Sequence, residues 1–233
     1  MTVKSTIPGV DVDVYCYETG LSFGMDFGRE MLSAVLVDEG RFPKRVNYNK
    51  GNDPKQLARL VGADKTRELI RRQRQVLDKF PNQQPIEFKQ YFFDQEYSDK
   101  LNKELPDFLT SISPGEPKPI LQVSENGEVL PVHKGHKRKC SLMMLLQSDE
   151  QETRWYRDTE YFEVIDPLRI PDLDKIEKVA EVTMKPYTWY MFNHFEWHSV
   201  HKFTEGSKRI SIGIDFYNID AVQLLAELKS RGF

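Results

Sequence analysis

The feature that most limits what this chain folds into is a succession of short apolar and alternating runs in its second half. "ILQVSENGEVLPVH", "CSLMMLLQ", "ETRWY", "EVTMKPYTWYMF", "HSVHKF" and "RISIGIDFY" follow one another with polar connections between residues 120 and 217. Several such strands in succession predict an antiparallel sandwich or barrel. Asn126-Gly127, set between two extended runs, is the strongest short-range hairpin signal and predicts a hairpin there.

The first half has a different texture. "DVDVYCYET" and "MLSAVLV" read as strands. A helix is expected from Asp64 to Phe80, where Leu69, Ile70, Gln73, Val76, Leu77 and Phe80 recur at helical spacing. Asp64 is placed to cap its start and Pro81 to stop it. The Pro- and Gly-punctuated stretch "SISPGEPKP" at 111–119 separates the halves. A closing helix is expected from Ala221, with Asp220 and Gln223 as a capping pair and Gly232 at its end. The expected organisation is one domain over 1–233: supporting strands and helices in 1–118, the β core in 119–218, and a C-terminal helix in 219–233.

Charge and composition exclude several classes of function. Lys plus Arg number 33 against 36 Asp plus Glu, a net charge of -3 that offers no grip on phosphate backbones, so nucleic acid is not expected as a partner. No apolar run has the length of a signal peptide or a membrane span, which predicts a soluble, unexported protein with no membrane partner. Cys16 and Cys140 are the only cysteines and form no pairing pattern. That argues against a disulfide framework or a cysteine zinc site and for a reducing cytoplasmic location. Oligomeric state is left open by the sequence.

The histidines carry the chemistry. None of the five precedes residue 133; His133 and His136 lie in "VHKGHKRKC", and His194, His198 and His201 in "FNHFEWHSVHKF". A lone histidine on a strand is most often a hydrogen-bonded structural residue. Two segments together change the weighing, because neutral imidazole is the commonest side-chain metal ligand and two or three rings leave coordination positions open. "HFEWH" does not match the His-Glu-x-x-His pattern of zinc proteases, since Glu196 stands one position late in a strand-like context. In an extended "HSVHKF", His198 and His201 face opposite sides and do not share an ion. There remains one histidine from each segment, with Arg209 eleven residues after His198.

Here "H-x-G" followed by a basic run and a strand, then "MFNHFEWHSVHKF" and "SKRISIGIDF", resembles the core of the non-haem Fe(II)/2-oxoglutarate-dependent oxygenases. The resemblance covers roughly 120–217. It implies a mainly β fold with flanking helices (α+β), built on a double-stranded β-helix, the jelly-roll or cupin-like core. It implies an enzyme that uses Fe(II), 2-oxoglutarate and O2 to oxidise a substrate C–H bond. His133 matches the first iron ligand and His198 the distal one. Arg209 matches the basic residue that binds the far carboxylate of 2-oxoglutarate, with Ser211 completing an Arg-x-Ser pair. A guanidinium presents a planar fork suited to a carboxylate.

The usual third ligand of that family is an aspartate two residues after the first histidine, and here that position is Gly135. The resemblance then implies three alternatives. Aspartyl/asparaginyl β-hydroxylases carry His-x-Gly, and the basic stretch after the glycine is echoed here by Arg138; hydroxylation leads on this ground. Iron-dependent halogenases place a halide in the vacancy. Third, His136 substitutes as a ligand, or the protein is a non-catalytic cupin-like binder of metal or ligand. Gly135 also reads simply as a turn residue with positive φ.

Further roles follow from position. Arg138, with Lys134 and Lys137, suggests an anionic group on a small-molecule or peptide substrate. Trp155, Tyr156, Trp189, Tyr190, Phe192 and Trp197 read chiefly as core, with some of them, Trp155 included, walling the substrate cavity. His194 reads as structural. His201 falls behind the ligands or on the opposite strand face.

Overall fold

Which strands pair, and in what order, sets the architecture that positions the histidines. The computed structural model describes residues 4–5, 8–43, 58–59, 62–68, 71, 86–113, 118–135, 138–157, 161–165, 168–171 and 176–233. In the first half, β1 (Lys4–Ser5) and β2 (Cys16–Glu18) precede helix α1 (Met25–Val37). Strand β3 (Glu87–Phe92) precedes helices α2 (Gln95–Glu104) and α3 (Asp107–Ile112). The second half begins with β4 (Lys118–Glu125), β5 (Leu130–His133), β6 (Cys140–Gln147) and β7 (Glu152–Arg157). After the paired β8 (Tyr161–Ile165) and β9 (Leu168–Pro171) come β10 (Glu177–Thr183), β11 (Trp189–Asn193), β12 (Trp197–His201) and β13 (Arg209–Phe216). Helix α4 (Ala221–Ser230) closes the chain.

The smaller of two main sheets has the order β1-β10-β7-β12-β5 and the larger β2-β11-β6-β13-β4-β3. Their strand pairs are antiparallel. From β4 onward the chain passes back and forth between the sheets. Strands β4, β6, β11 and β13 lie together in the larger sheet, and β5, β7, β10 and β12 in the smaller. This interleaving is the double-stranded β-helix, so the protein is a mainly β jelly roll with flanking helices.

Three local expectations give way to tertiary context. Asn126 takes φ 56°, the left-handed conformation asparagine tolerates, but the turn does not close a hairpin. Strand β4 pairs with β3 and β13 while β5 pairs with β12, so Asn126-Gly127 is a corner between sheets. "MLSAVLV" is not a strand but the second half of α1, because Phe27, Met31 and Val35 fall on one helical face and bury there. Gly28 lets that helix lie close on the larger sheet, since a Cβ there would stand 2.9 Å from the Met144 side chain. Of the helix expected over 64–80, residues 63–68 and 71 are helical; 69–70 and 72–81 lie outside the described residues. Asp64 sits inside its first turn, paired with Arg67, and does not cap it. Residues 114–117 of the expected linker are likewise outside the described residues. At the C-terminus, Asp220 and Gln223 form the reciprocal capping box of α4.

The larger sheet is covered on both faces. Ile210, Ile212, Ile214 and Phe216 of β13 join Leu142 and Met144 of β6 in a core with Phe27, Met31, Leu101, Leu224 and Leu228 of the helices. The alternate residues of β13, Arg209, Ser211, Gly213 and Asp215, point the other way, toward the smaller sheet. Part of the space between the sheets is apolar, filled by Met143, Leu145, Tyr190 and Phe192 against Trp155, Ala180 and Val182. The rest is polar and forms the cavity described below. Among the described residues, no helix is long and apolar enough to cross a membrane.

Ile212 is fully buried at the centre of the larger sheet, whereas Val222 is 60% exposed. Replacing Ile212 by Ala should cost about 2–5 kcal/mol of stability, and Val222→Ala less than about 0.5 kcal/mol. Urea midpoints for the two variants check this contrast.

Candidate functional site

His133 and His198 stand directly opposite one another on β5 and β12. Side chains so paired begin about 4.5–5.5 Å apart at Cβ, and here the imidazole centroids are 4.2 Å apart at an interplanar angle of 54°. A β-bulge adjusts the pairing, because Leu130 to His133 on β5 oppose Val200 to His198 on β12. Strand β5 thus carries one extra residue, and Pro131 lies within that stretch, a place where a missing N–H is tolerated. The Nδ1–H of His198 donates to the Glu196 carbonyl at 2.8 Å. Since a carbonyl only accepts, Nε2 is the nitrogen left with its lone pair. Burial first, then the neighbouring His133, holds the His198 pKa well below 6.5.

Arg209 reaches the same cavity from the larger sheet. It is 6% exposed, and its Nη2 donates to Thr153 Oγ1 at 3.3 Å and approaches Met184 Sδ at 3.5 Å. Its Nη1 is buried with no hydrogen-bond partner in the protein. Burial lowers the guanidinium to about 10, so it remains a cation at neutral pH without a carboxylate beside it. Two residues on, Ser211 lines the same wall and donates to Gln122 Oε1 at 3.2 Å. A bulge between Ile210 and Ser211, opposite β6, falls between these two cavity residues.

The connection from β5 to β6 brings Gly135 and Arg138 to the site. Arg138 Nη1 donates to Asp215 Oδ1 at 3.1 Å, and the Asp215 side chain is fully buried. Gly135 has no positive φ, so the turn explanation for it is set aside. Glycine is required by close approach. A Cβ at this position would stand 2.6 Å from the Arg138 carbonyl oxygen and 3.0 Å from the Cβ of His194. The Gly135 N–H donates to the His194 carbonyl at 2.6 Å, tying the two loops together.

His194, read from the sequence as structural, lines the cavity itself. Its ring lies 5.4 Å from that of His198 and against Phe192 at 4.5 Å. Its Nε2 is 2.8 Å from Ser141 Oγ, and its Nδ1 is buried without a partner. Burial, then the charge of Arg138, keeps it neutral well below the usual histidine range. The sequence signal was its place in the same aromatic-rich segment as His198, four residues earlier. Gln122 was missed outright, because only the strand pairing brings β4 beside Ser211.

Other expected residues fall elsewhere. Trp155 is fully buried, donates its indole N–H to the Asn193 carbonyl at 3.2 Å and packs on Phe192, so it is core and not cavity wall. His201 faces the other side of the smaller sheet, with Nε2 2.7 Å from Ser199 Oγ. His136 and Lys137 lie outside the described residues. Lys134 sits over the Trp197 ring at 5.0 Å.

The described lining therefore comprises the three imidazoles of His133, His194 and His198, two guanidiniums and no carboxylate, with Leu130, Met143, Phe192 and Val200 as apolar wall. Its volume of about 40 Å³ exceeds the roughly 10–15 Å³ that one water-sized group needs. The opposed imidazoles of His133 and His198 are of a donor type that suits a divalent transition-metal ion, and the orphaned Nη1 of Arg209 suits an organic anion such as a carboxylate. Among the described residues, no three His, Cys, Asp or Glu side chains stand close enough to enclose an ion as placed.

No family profile and no curated protein matches the chain. Among solved structures it is similar to an oxidoreductase of the 2OG-Fe(II) oxygenase family from Burkholderia pseudomallei, at 11% identity and a TM-score of 0.37, over 66% of this chain and 79% of that one. It is also similar to oxalate decarboxylase, at 12% identity and a TM-score of 0.29, over 64% of this chain and 35% of that one. A variant of the Bacillus subtilis oxalate decarboxylase gives 12% identity and a TM-score of 0.30, over 65% of this chain. The chain spans about a third of the length of these decarboxylases. The fold assignment rests on strand order.

Two outcomes follow from this geometry. Gly135→Ala should lower stability by about 1–3 kcal/mol through overpacking, read as a reduced urea midpoint. Acidification should also destabilise. Burial lowers His201 to about 4, so between about pH 6.5 and that value the unfolded chain takes up a proton that the folded one refuses. Stability is then fully present above pH 6.5 and lost as pH falls toward 4, and His201→Gln should flatten part of that slope in urea midpoints measured across the window.

Proposed function

We propose that this cavity is the active site of a non-haem Fe(II)/2-oxoglutarate-dependent oxygenase that hydroxylates a C–H bond of a small-molecule or peptide substrate. The observation that carries the reading is the placement, in one cavity, of two opposed neutral-type ligands and a buried guanidinium with an unpartnered N–H. His133 and His198 hold the iron. Arg209 receives the far carboxylate of 2-oxoglutarate, and Ser211 turns its hydroxyl from Gln122 to the same group. When bound, the iron supplies the activation of O2 that the side chains cannot perform.

The protein supplies position, charge and exclusion of water. The Glu196 carbonyl fixes which nitrogen of His198 faces the cavity, as an outer partner of a metal-binding histidine does. Met143, Phe192 and Leu130 shield the reacting atoms from solvent. Arg138, held from behind by Asp215, presents positive charge to an anionic substrate group. Hydroxylation is placed ahead of halogenation because the space beside Gly135 is taken by the Arg138 carbonyl and His194.

A second reading is favoured by the absence, among the described residues, of three converged ligands. In it the cavity binds an organic anion through Arg209 without catalysis. Anaerobic addition of Fe(II) and 2-oxoglutarate separates the two. The oxygenase reading expects a weak visible charge-transfer band that is lost in His133→Ala and His198→Ala. It also expects Arg209→Gln to weaken 2-oxoglutarate binding about 10- to 100-fold, the value of a charge-assisted hydrogen bond. Anion binding with no band in the presence of iron would leave the second reading.

A further inference from the structure

Resting on the active-site reading above, in which Arg138 faces an anionic group, we infer that His194 and Arg138 form a second subsite that holds a carboxylate of the substrate at the end of the cavity away from Arg209. Strand register separates the two ends. Arg209 and Asp215 lie on the same inner face of β13, six residues apart. At about 3.3 Å per residue their backbones stand about 20 Å apart. Ser124 is opposite Arg209, whereas Ser141 is opposite Asp215. His194 bonds Ser141 and Arg138 bonds Asp215, so both belong to the Asp215 end, and both line the cavity. A five-carbon diacid anchored on Arg209 is much shorter than that separation.

His194 is prepared to meet a ligand. It is 2% exposed, and its Nδ1 is buried with no hydrogen-bond partner among the described residues. A buried polar atom is as a rule met by a partner. The other nitrogen, Nε2, lies 2.8 Å from Ser141 Oγ, and a hydroxyl both donates and accepts. Nδ1 therefore carries a proton or a lone pair according to what it meets. Before an anion it carries the proton, and the Ser141 hydroxyl then donates to Nε2. Burial, then the charge of Arg138, keeps the ring neutral, so it enters as a hydrogen-bond donor and not as a second cation.

Arg138 supplies the charge. Its Nη1 donates to the fully buried side chain of Asp215, which fixes the guanidinium from behind and leaves other N–H groups of the fork for a ligand. A carboxylate has one oxygen for the guanidinium and one for the imidazole. Phe192, whose ring lies 4.5 Å from that of His194, and Met143 form the adjoining wall. Apolar wall beside the anion suits a carbon chain leading away from it, so an organic acid is favoured over inorganic phosphate or sulfate. The subsite is preformed, because the Gly135 N–H donates to the His194 carbonyl and the His194 N–H donates to the Lys139 carbonyl at 3.1 Å.

The test uses acetate as the probe, added to the metal-free full chain with isotopically labelled imidazole nitrogens. Long-range proton–nitrogen spectra then read which nitrogen of each ring is protonated. Acetate is expected to shift the His194 signals saturably, ending with the proton on Nδ1. The response should be lost in His194→Gln, need at least about tenfold more acetate in Arg138→Gln, the value of a charge-assisted hydrogen bond, and persist in Arg209→Gln. Assignment of the wild-type resonances identifies the ring even where a variant fails to fold. No response of His194 in the wild type, or one lost with Arg209 and kept without Arg138, overturns the inference. So does a non-saturating response shared by all five rings, which marks an adventitious ion only. 2-Oxoglutarate titrated into the same samples tests the parent reading separately: binding that depends on Arg209 while His194 is silent to acetate leaves that reading standing without the second subsite.

Discussion

The register of β5 against β12 is the constraint on which the site depends. Because strand side chains alternate between faces, a slip of one residue would turn either His133 or His198 out of the cavity. Two features hold the register. Strand β12 is clamped on its other side by β7 over five consecutive pairs, from Trp197↔Tyr156 to His201↔Glu152. The bulge in β5 absorbs an extra residue beside the histidine pair, so the opposition is kept while the strand turns into the loop carrying Gly135 and Arg138. The opposed histidine pair is thus a product of sheet geometry and not of loop flexibility.

The second determinant is charge placed where the fold otherwise buries apolar groups. Arg209 occupies one position on the inner face of β13, whose outer face is isoleucine and phenylalanine. A buried cation with an unpartnered N–H is costly unless something pairs with it. The same strand places Asp215 further along the same inner face, where it is paired with Arg138. One guanidinium is therefore satisfied internally and the other is available. One inner face thus carries both a paired charge and a guanidinium with an unpartnered N–H.

Legibility in the sequence varied with the range of the interaction. The continuous apolar run "CSLMMLLQ" and the alternation in "RISIGIDFY" were enough to find β6 and β13, because burial of strand faces is written locally. "MLSAVLV" misled, since a dense apolar run suits either a strand or the buried side of a helix; Phe27, four residues before Met31, carried the helical period. Asn126-Gly127 specified a bend and said nothing about which strands would pair across it. Gly135 looked like a missing ligand, yet its reason is the close approach of the Arg138 carbonyl, three residues on, and of His194, from a loop nearly sixty residues later. His194 was undervalued for the same cause. Only the folded chain shows that residues 135 and 194 lie against each other, a Cβ on the glycine standing 3.0 Å from that of His194.

The proposed chemistry requires one ion bound between residues 133 and 198 and a diacid held by Arg209. Crystals grown without oxygen in Mn(II) and 2-oxoglutarate address this directly. Metal density bonded to a nitrogen of each imidazole is expected, with the far carboxylate of the diacid on the Arg209 guanidinium. Metal density absent from that position, or a diacid bound away from Arg209, would contradict it.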